Sequence, residues 1–198
     1  MADPEDTAIQ TTAEPDQAAR APAGPPAQPE SCPQRRVTPL AEFIDNLPYL
    51  AMVLSGAAVF LLGGRGPAAW LAAAVYLAYG AAGALWVILF ICPHCDFYDT
   101  RLCPCGYGRI AAKLRSRKDG GDFARQFRRH IPVIVPLWII PLIAGGAFLW
   151  VNFSWPLLAL LVGFAVNSFL VLPLVSRRFG CQGCPQKAAC PWMGRKCR

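Results

Sequence analysis

Four long apolar segments constrain this chain more than any other feature of its sequence. They cover residues 47–63, 68–91, 131–153 and 155–175, and none contains Asp, Glu, Lys, Arg or His. At about 1.5 Å rise per residue, each can cross or nearly cross roughly 30 Å of hydrocarbon, although the first is marginal in length. Only 16% of all residues are charged and 55% are hydrophobic, which is unusual for a soluble domain. The sequence therefore predicts an all-α integral membrane protein with four transmembrane helices, paired as hairpins 47–91 and 131–175.

The distribution of basic residues predicts how these helices are oriented. The loop 92–130 carries nine Lys or Arg against four acids, and the tail 176–198 carries six against none. The connections on the other side contain Arg65 alone. By the positive-inside bias, both termini and the basic loop are expected in the cytoplasm, with the helices in the inner (plasma) membrane. Trp70, Trp150 and Trp155 are then expected at headgroup level on the outer side.

Two polar segments precede the first apolar segment. Residues 1–36 are rich in Ala and Pro and contain six acids against three arginines, with too few large apolar residues for a core. This composition predicts a disordered tail. Residues 37–46 are expected to form a short interfacial helix, since Thr38 can cap it and Pro39 suits its first turn.

The nine cysteines all fall in the parts that are predicted to face the cytoplasm. Cys32 stands apart and is expected to be a free thiol. The loop and the tail each supply four more, spaced C-x2-C-x7-C-x-C and C-x2-C-x5-C-x6-C. The candidate metal ligands are Cys92, Cys95, Cys103 and Cys105, called here the loop cysteines, and Cys181, Cys184, Cys190 and Cys197, called the tail cysteines.

Four sulfurs are the number that a tetrahedral zinc ion or a four-iron cluster needs. Because the cytoplasm is reducing, such dense cysteine spacing favours metal binding over disulfides. The compact spacings, and prolines after Cys92, Cys103, Cys184 and Cys190, favour an iron–sulfur cluster over zinc. Loop and tail could hold separate centres or share one. The sequence thus predicts a cytoplasmic cysteine-rich cap made by the helix 2–3 loop and the C-terminal tail.

The tetrapeptide "CPHC", residues 92–95, also resembles the active-site motif of thioredoxin-fold disulfide oxidases. The resemblance covers four residues and implies thiol–disulfide exchange. Those enzymes place the motif at the start of a helix that follows a strand, where the helix N-terminus lowers the pKa of one thiol. Here the motif follows a membrane span, so thiol redox chemistry stays an alternative. His94 within it is expected outside the ligand set, because its own cluster already has four sulfurs.

Further expectations concern the rest of the loop and the apolar segments. Basic segments with Ile110 and Leu114, then Phe123 and Phe127, predict helices on an anionic membrane surface and not a nucleic-acid site. Arg101 and Arg109 flank the cysteines and could compensate thiolate charge.

Within the bundle, the pattern predicts close helix packing at small residues, kinks at prolines and one interhelical hydrogen bond. The residues concerned are Ala74, Ala78, Ala82, Gly80 and Gly83 for packing, Pro132, Pro136 and Pro141 for kinks, and Asn167 for the hydrogen bond.

These observations favour a membrane-anchored iron–sulfur protein that transfers electrons between a cytoplasmic partner and a membrane pool, such as quinone, or a partner subunit. The sequence shows no nucleophile–base pair and no glycine-rich phosphate loop, so it indicates no catalytic site. The alternatives are a zinc-stapled structural or assembly subunit, a protein that handles soft metals, and a thiol-redox protein. They differ in the metal bound and in which cysteines are needed.

Overall fold

The structure of the chain is a computed structural model that describes residues 37–117 and 123–180. These residues form helices joined by turns, and no strand occurs among them. The tail predicted to be disordered, with Cys32, and all four tail cysteines lie outside the described residues. Four helices are long and apolar enough to cross a membrane, as predicted: Pro39–Gly63, Gly66–His94, Phe123–Val151 and Trp155–Arg178.

Helix α1 runs without interruption over Pro39–Gly63. Its start agrees with the prediction, because the Ala41 amide donates to Thr38 Oγ1 at 3.3 Å and Pro39 occupies the first turn. The segment 37–46, expected to be a separate interfacial helix, forms the first turns of α1. Pro48 lies inside the helix without ending it.

Helix α2, Gly66–Phe90, returns antiparallel to α1, and glycines set the close approach of the two helices. A Cβ atom on Gly56 would lie 2.5 Å from the Tyr76 ring, and one on Gly80 would lie 2.8 Å from Val53. The predicted alanine stripe at 74, 78 and 82 is exposed instead, so that part of the packing prediction is wrong within this chain. All sides of α2 are apolar, and hydrophobicity therefore could not show which side packs. The buried small residues of α2 are Ala69, Ala73, Gly80 and Gly83.

The second hairpin is broken at its prolines, as predicted. Helix α4, Phe123–His130, passes through the 3-10 turn Ile131–Val133 into α5, Pro136–Val151. Pro141 has no amide hydrogen and leaves the Leu137 carbonyl without its helical partner. The Tyr76 hydroxyl donates to this carbonyl at 2.7 Å, which compensates for the lost bond and joins α2 to α5.

The fourth span combines two helix types and closes the bundle against α1. It consists of α6, Trp155–Val166, a π-helix, Asn167–Val171, α7, Leu172–Val175, and a second π-helix, Ser176–Gly180. Asn167 Nδ2 donates to the Pro48 carbonyl at 2.9 Å, which confirms the predicted interhelical hydrogen bond. Helix α1 contacts α2, α5 and α6. The buried core residues are Met52, Val53, Ala57, Phe60, Ala73, Tyr76, Ile134, Leu137 and Phe164.

Candidate functional site

The loop cysteines lie where the second span ends, at the same end of the bundle as the start of α1; we call this the cysteine end. The 3-10 turn Cys92–His94 follows α2, and the Cys95 amide donates to the Cys92 carbonyl at 3.0 Å. Cys92 is buried and packs with Ile88 and Ala111. The structure thus joins the first cysteine of the loop to the apolar bundle, while Cys95 is half-buried beside it.

The second pair of loop cysteines sits on one tight turn, residues 103–106, which we call the CPCG turn. The Gly106 amide donates to the Cys103 carbonyl at 3.2 Å, closing the turn. Pro104 suits the second position of such a turn, and Gly106 adopts a left-handed φ of 73° that glycine tolerates best. This geometry puts the Cys103 and Cys105 sulfurs on the same side, 3.7 Å apart.

The CPCG turn leads directly into helix α3, Tyr107–Leu114, whose first turn faces the Cys103 sulfur. The Gly108 amide donates to Cys103 Sγ at 3.3 Å. A Cβ atom on Gly108 would lie 2.5 Å from the Phe97 carbonyl oxygen, so the loop and α3 can meet this closely only with glycine there. The Cys103 side chain is 6% exposed. The fold therefore shields this sulfur from water and supplies an amide donor to it.

The two sulfurs of the CPCG turn have opposite protonation tendencies. The pKa of Cys103 is lowered, first because the Cys105 thiol donates a hydrogen bond to its sulfur and further by backbone amides that include Gly108, with burial opposing them. The pKa of Cys105 is raised, because its thiol is the donor in that bond and because it is buried. Such an arrangement favours thiolate on Cys103, the form that binds metals and reacts as a nucleophile.

Polar residues of α1 fix the CPCG turn to the bundle. Asn46 Nδ2 donates to the Cys105 carbonyl at 3.0 Å and to the Glu42 carbonyl at 2.7 Å. The Glu42 carboxylate forms an ion pair with Arg109 of α3. Glu42 and Asn46 are four residues apart and therefore lie on one side of α1. Sequence analysis missed both, although two polar residues at this spacing beside a cysteine cluster are a usable signal.

A second polar group lies beside the cysteines. The pKa of the Tyr107 hydroxyl is raised by burial first, and then by the charges of Cys105, Tyr49, Cys92 and Asp45. Asp45 Oδ1 is buried and has no hydrogen-bond partner among the described residues. The Tyr107 hydroxyl and the Asp45 carboxyl are therefore both largely dehydrated. Sequence analysis placed Asp45 in the interfacial segment and assigned it no role.

The structure brings some of the predicted ligands together. Cys103 and Cys105 are in contact, and the Cys95 amide donates to the Cys92 carbonyl. Over residues 37–117 and 123–180, no three His, Cys, Asp or Glu side chains are grouped so that they could hold a metal ion. The metal site of the loop cysteines therefore stays a prediction. Arg109, expected to compensate thiolate charge, is paired with Glu42 instead.

Fold and site together define a protein whose described residues are all-helical, with four helices able to span a membrane and two cysteines in contact at one end of the bundle. The chain matches no protein-family model, and no curated protein or solved structure was found to be similar to it. The geometry of the cysteine end is therefore the basis for a functional proposal.

Proposed function

We propose that this chain is a membrane protein whose cysteine end holds a thiolate-ligated metal centre, an iron–sulfur cluster in the first instance, that transfers electrons. The observation that carries the proposal is the CPCG turn, which presents two shielded sulfurs 3.7 Å apart where a membrane span ends. The centre would exchange electrons between a soluble partner and a membrane pool, such as quinone, or a partner subunit. All eight clustered cysteines would face the cytoplasm, as the basic loop and tail indicate.

The sulfur separation bears on the type of centre. Two thiolates at about 2.3 Å from one tetrahedral ion stand roughly 3.8 Å apart, close to the 3.7 Å between the Cys103 and Cys105 sulfurs. In a two-iron cluster with four cysteines each iron takes two thiolates, whereas in a four-iron cluster each iron takes one. The distance therefore supports a two-iron cluster, with Cys103 and Cys105 on the same iron.

The surroundings of the sulfurs support an electron-transfer role. Hydrogen bonds to the sulfurs and limited solvent exposure are two of the properties that set the reduction potential of an iron–sulfur cluster. Cys103 has both, through the Gly108 amide and through burial. The remaining ligands would come from Cys92, Cys95 or the tail cysteines.

A structural zinc site is the second candidate, because the same sulfur separation fits zinc equally well. Zinc would join loop to tail and stabilise the cap without redox chemistry, as in other closed four-sulfur sites. The protein would then serve as an assembly or anchoring subunit. Transient binding of a soft metal, or thiol exchange at a single cysteine pair, would use the same sulfurs without a permanent centre.

The experiment that separates these functions is anaerobic purification of the full chain in detergent, followed by an optical spectrum and quantification of iron, sulfide and zinc. Broad absorption near roughly 400 nm with stoichiometric iron and sulfide is the expected result, since cysteine-ligated iron–sulfur clusters contain both. Colourless protein with stoichiometric zinc would replace electron transfer by the structural role. Protein with neither metal would reject both and leave thiol chemistry.

A further inference from the structure

A second feature of the cysteine end is a group of aromatic and basic side chains at the end of α2. Three parts of the chain meet at Phe90, near the end of α2. The Trp86 ring lies 4.2 Å from the Phe90 ring, and the His130 ring stacks on Phe90 at 5.1 Å with an angle of 26°. The Arg115 guanidinium carbon lies 5.2 Å from the centre of the same ring. We propose that this aromatic–basic face, made by Trp86, Phe90, Arg115, Arg129 and His130, binds the headgroup of an anionic phospholipid.

The position of the face along the spans suits a headgroup. The spans Gly66–His94 and Phe123–Val151 contain 29 residues each and reach about 43 Å at 1.5 Å per residue, more than the roughly 30 Å of hydrocarbon. Their ends at the loop therefore extend into the headgroup region. Phe90, the last residue of α2, lies four residues before the end of the first span, and His130, the last residue of α4, lies seven residues after the start of the second. Tryptophan in particular is enriched at this depth, because its ring is apolar and its N–H is polar.

The charges of the face are available to a phosphate. The segment 107–130 contains eight Lys or Arg against two Asp, so the local field is positive. Arg109 is paired with Glu42. Arg115 donates to the Leu89 carbonyl at 3.0 Å and forms no ion pair with another described residue. Arg129 is exposed beside His130. Guanidinium groups bind phosphate through two parallel hydrogen bonds, which an ammonium group cannot do.

One buried donor indicates a ligand independently of the charges. Trp86 Nε1 is buried and has no acceptor among the described residues. A buried N–H without a partner costs free energy, so such a group usually has one in the functional state. A phosphate or ester oxygen of a lipid would supply the acceptor once the Trp86 ring turns its N–H outward on binding. A nucleic acid fits less well, because the face adjoins two membrane spans and so lies at the lipid surface.

The test is native mass spectrometry of the full chain released from nanodiscs that contain equal amounts of phosphatidylglycerol and phosphatidylcholine. We expect the wild type to retain phosphatidylglycerol in excess, and Arg129→Gln to lower that excess about fivefold, the effect of roughly 1 kcal/mol per basic residue. Arg65→Gln is the matched control, since Arg65 is an exposed arginine at the opposite end of the bundle, and it should retain the wild-type excess. Trp86→Phe keeps an aromatic ring, although a smaller one, removes the N–H, and should lower the excess by a smaller factor.

Several results would overturn the proposal. Equal retention of both lipids by the wild type would exclude a specific headgroup site. An equal loss of phosphatidylglycerol in Arg129→Gln and Arg65→Gln would mean that retention depends on the net charge of the protein and not on this face. Tighter binding to a labelled single-stranded oligonucleotide than to phosphatidylglycerol nanodiscs would assign the face to nucleic acid. Since Trp86 lies six residues before Cys92, the gel-filtration profile and the unfolding temperature of each variant are measured on the same sample. Unchanged values show that a lipid effect is not caused by misfolding.

Discussion

The two ends of the helix bundle differ in the contacts made where the apolar helices end. At the cysteine end, α1 holds the loop through the Glu42–Arg109 ion pair and the Asn46 bond to Cys105. At the opposite end, the hairpins close through short turns, and large aromatic side chains are left exposed: Trp150 is 92% exposed and Trp155 is 73% exposed. Such rings are expected to contact lipid headgroups.

This difference concerns the specific side-chain contacts that each end of the bundle makes. Left-handed glycines and close glycine contacts occur at both ends, at Gly63 and Gly66 as well as at Gly106 and Gly108. The sulfur pair and the polar contacts from α1 to the loop occur at the cysteine end. A chain that merely crossed a membrane would need no such cap. The contrast therefore supports a specific role for the cysteine end, and changes made there should act on a bound centre while changes in the bundle should not.

The largest effect should follow from removal of one sulfur of the CPCG turn. Cys103→Ser or Cys105→Ser takes away half of the pair that we place on one metal ion, and we expect at least about a tenfold loss of bound metal, within the range found for disrupted metal sites. Metal per protein after gel filtration measures this. Cys32→Ser is the control and should keep its metal; equal metal in all three variants would remove the CPCG turn from the site.

The next effect should come from Gly108→Ala. The added Cβ would lie 2.5 Å from the Phe97 carbonyl oxygen, so the loop and α3 must move apart at a cost of about 1–3 kcal/mol. We expect lower metal content and a lower unfolding temperature of the metal-bound protein. Gly146→Ala is matched in chemistry but meets nothing within 4 Å, and it should be neutral or slightly stabilising. Identical behaviour of the two variants would mean that the close approach at Gly108 does not matter.

A change inside the bundle should separate its stability from the cysteine end. Tyr76→Phe leaves the Leu137 carbonyl without a donor, because Pro141 cannot supply one. Hydrogen bonds between membrane helices contribute on average about 0.6 kcal/mol and at most about 1.7 kcal/mol. Unfolding in mixed micelles should show that the free energy of unfolding falls by an amount in this range, while the metal content is unchanged. A variant that loses metal but not stability would contradict the division between bundle and cap.

The smallest effect should follow from Glu42→Gln. The Arg109 side chain is 42% exposed and that of Glu42 18%, so water and salt screen this pair strongly. We expect the free energy of unfolding to fall by about 0.2–1 kcal/mol, and by less as salt is added. A double-mutant cycle with Arg109→Gln measures the coupling energy of the pair. A coupling energy that does not change with salt would indicate that the pair acts by shape and not by charge.

Much of the fold could be predicted because membrane helices are specified by length and apolar composition. The four spans, the Thr38 cap, the break at the prolines of the third span and the Asn167 bond all follow from local sequence. The packed side of α2 could not be predicted, since Ala74 and Ala73 are equally apolar and only the partner helix distinguishes them. The same limit applies to Glu42 and Asn46, whose partners are about 60 residues away.

The candidate site was predictable in composition but not in arrangement. Eight cysteines in two clusters could be identified as possible ligands, and the paired C-x2-C spacing drew attention to Cys92 and Cys95. The structure instead brings Cys103 and Cys105 into contact, because Pro104 and Gly106 close a four-residue turn. Turn geometry of this kind depends on backbone angles that spacing alone does not fix.

The most direct test of the account is X-ray absorption at the metal edge of the anaerobically purified full chain. The proposed centre predicts stoichiometric iron with a first shell of sulfur at about 2.3 Å and additional iron–iron scattering, with the sulfur shell reduced in Cys103→Ser. A first shell made mainly of nitrogen and oxygen, or protein that lacks stoichiometric metal, would contradict a thiolate-ligated centre at the cysteine end.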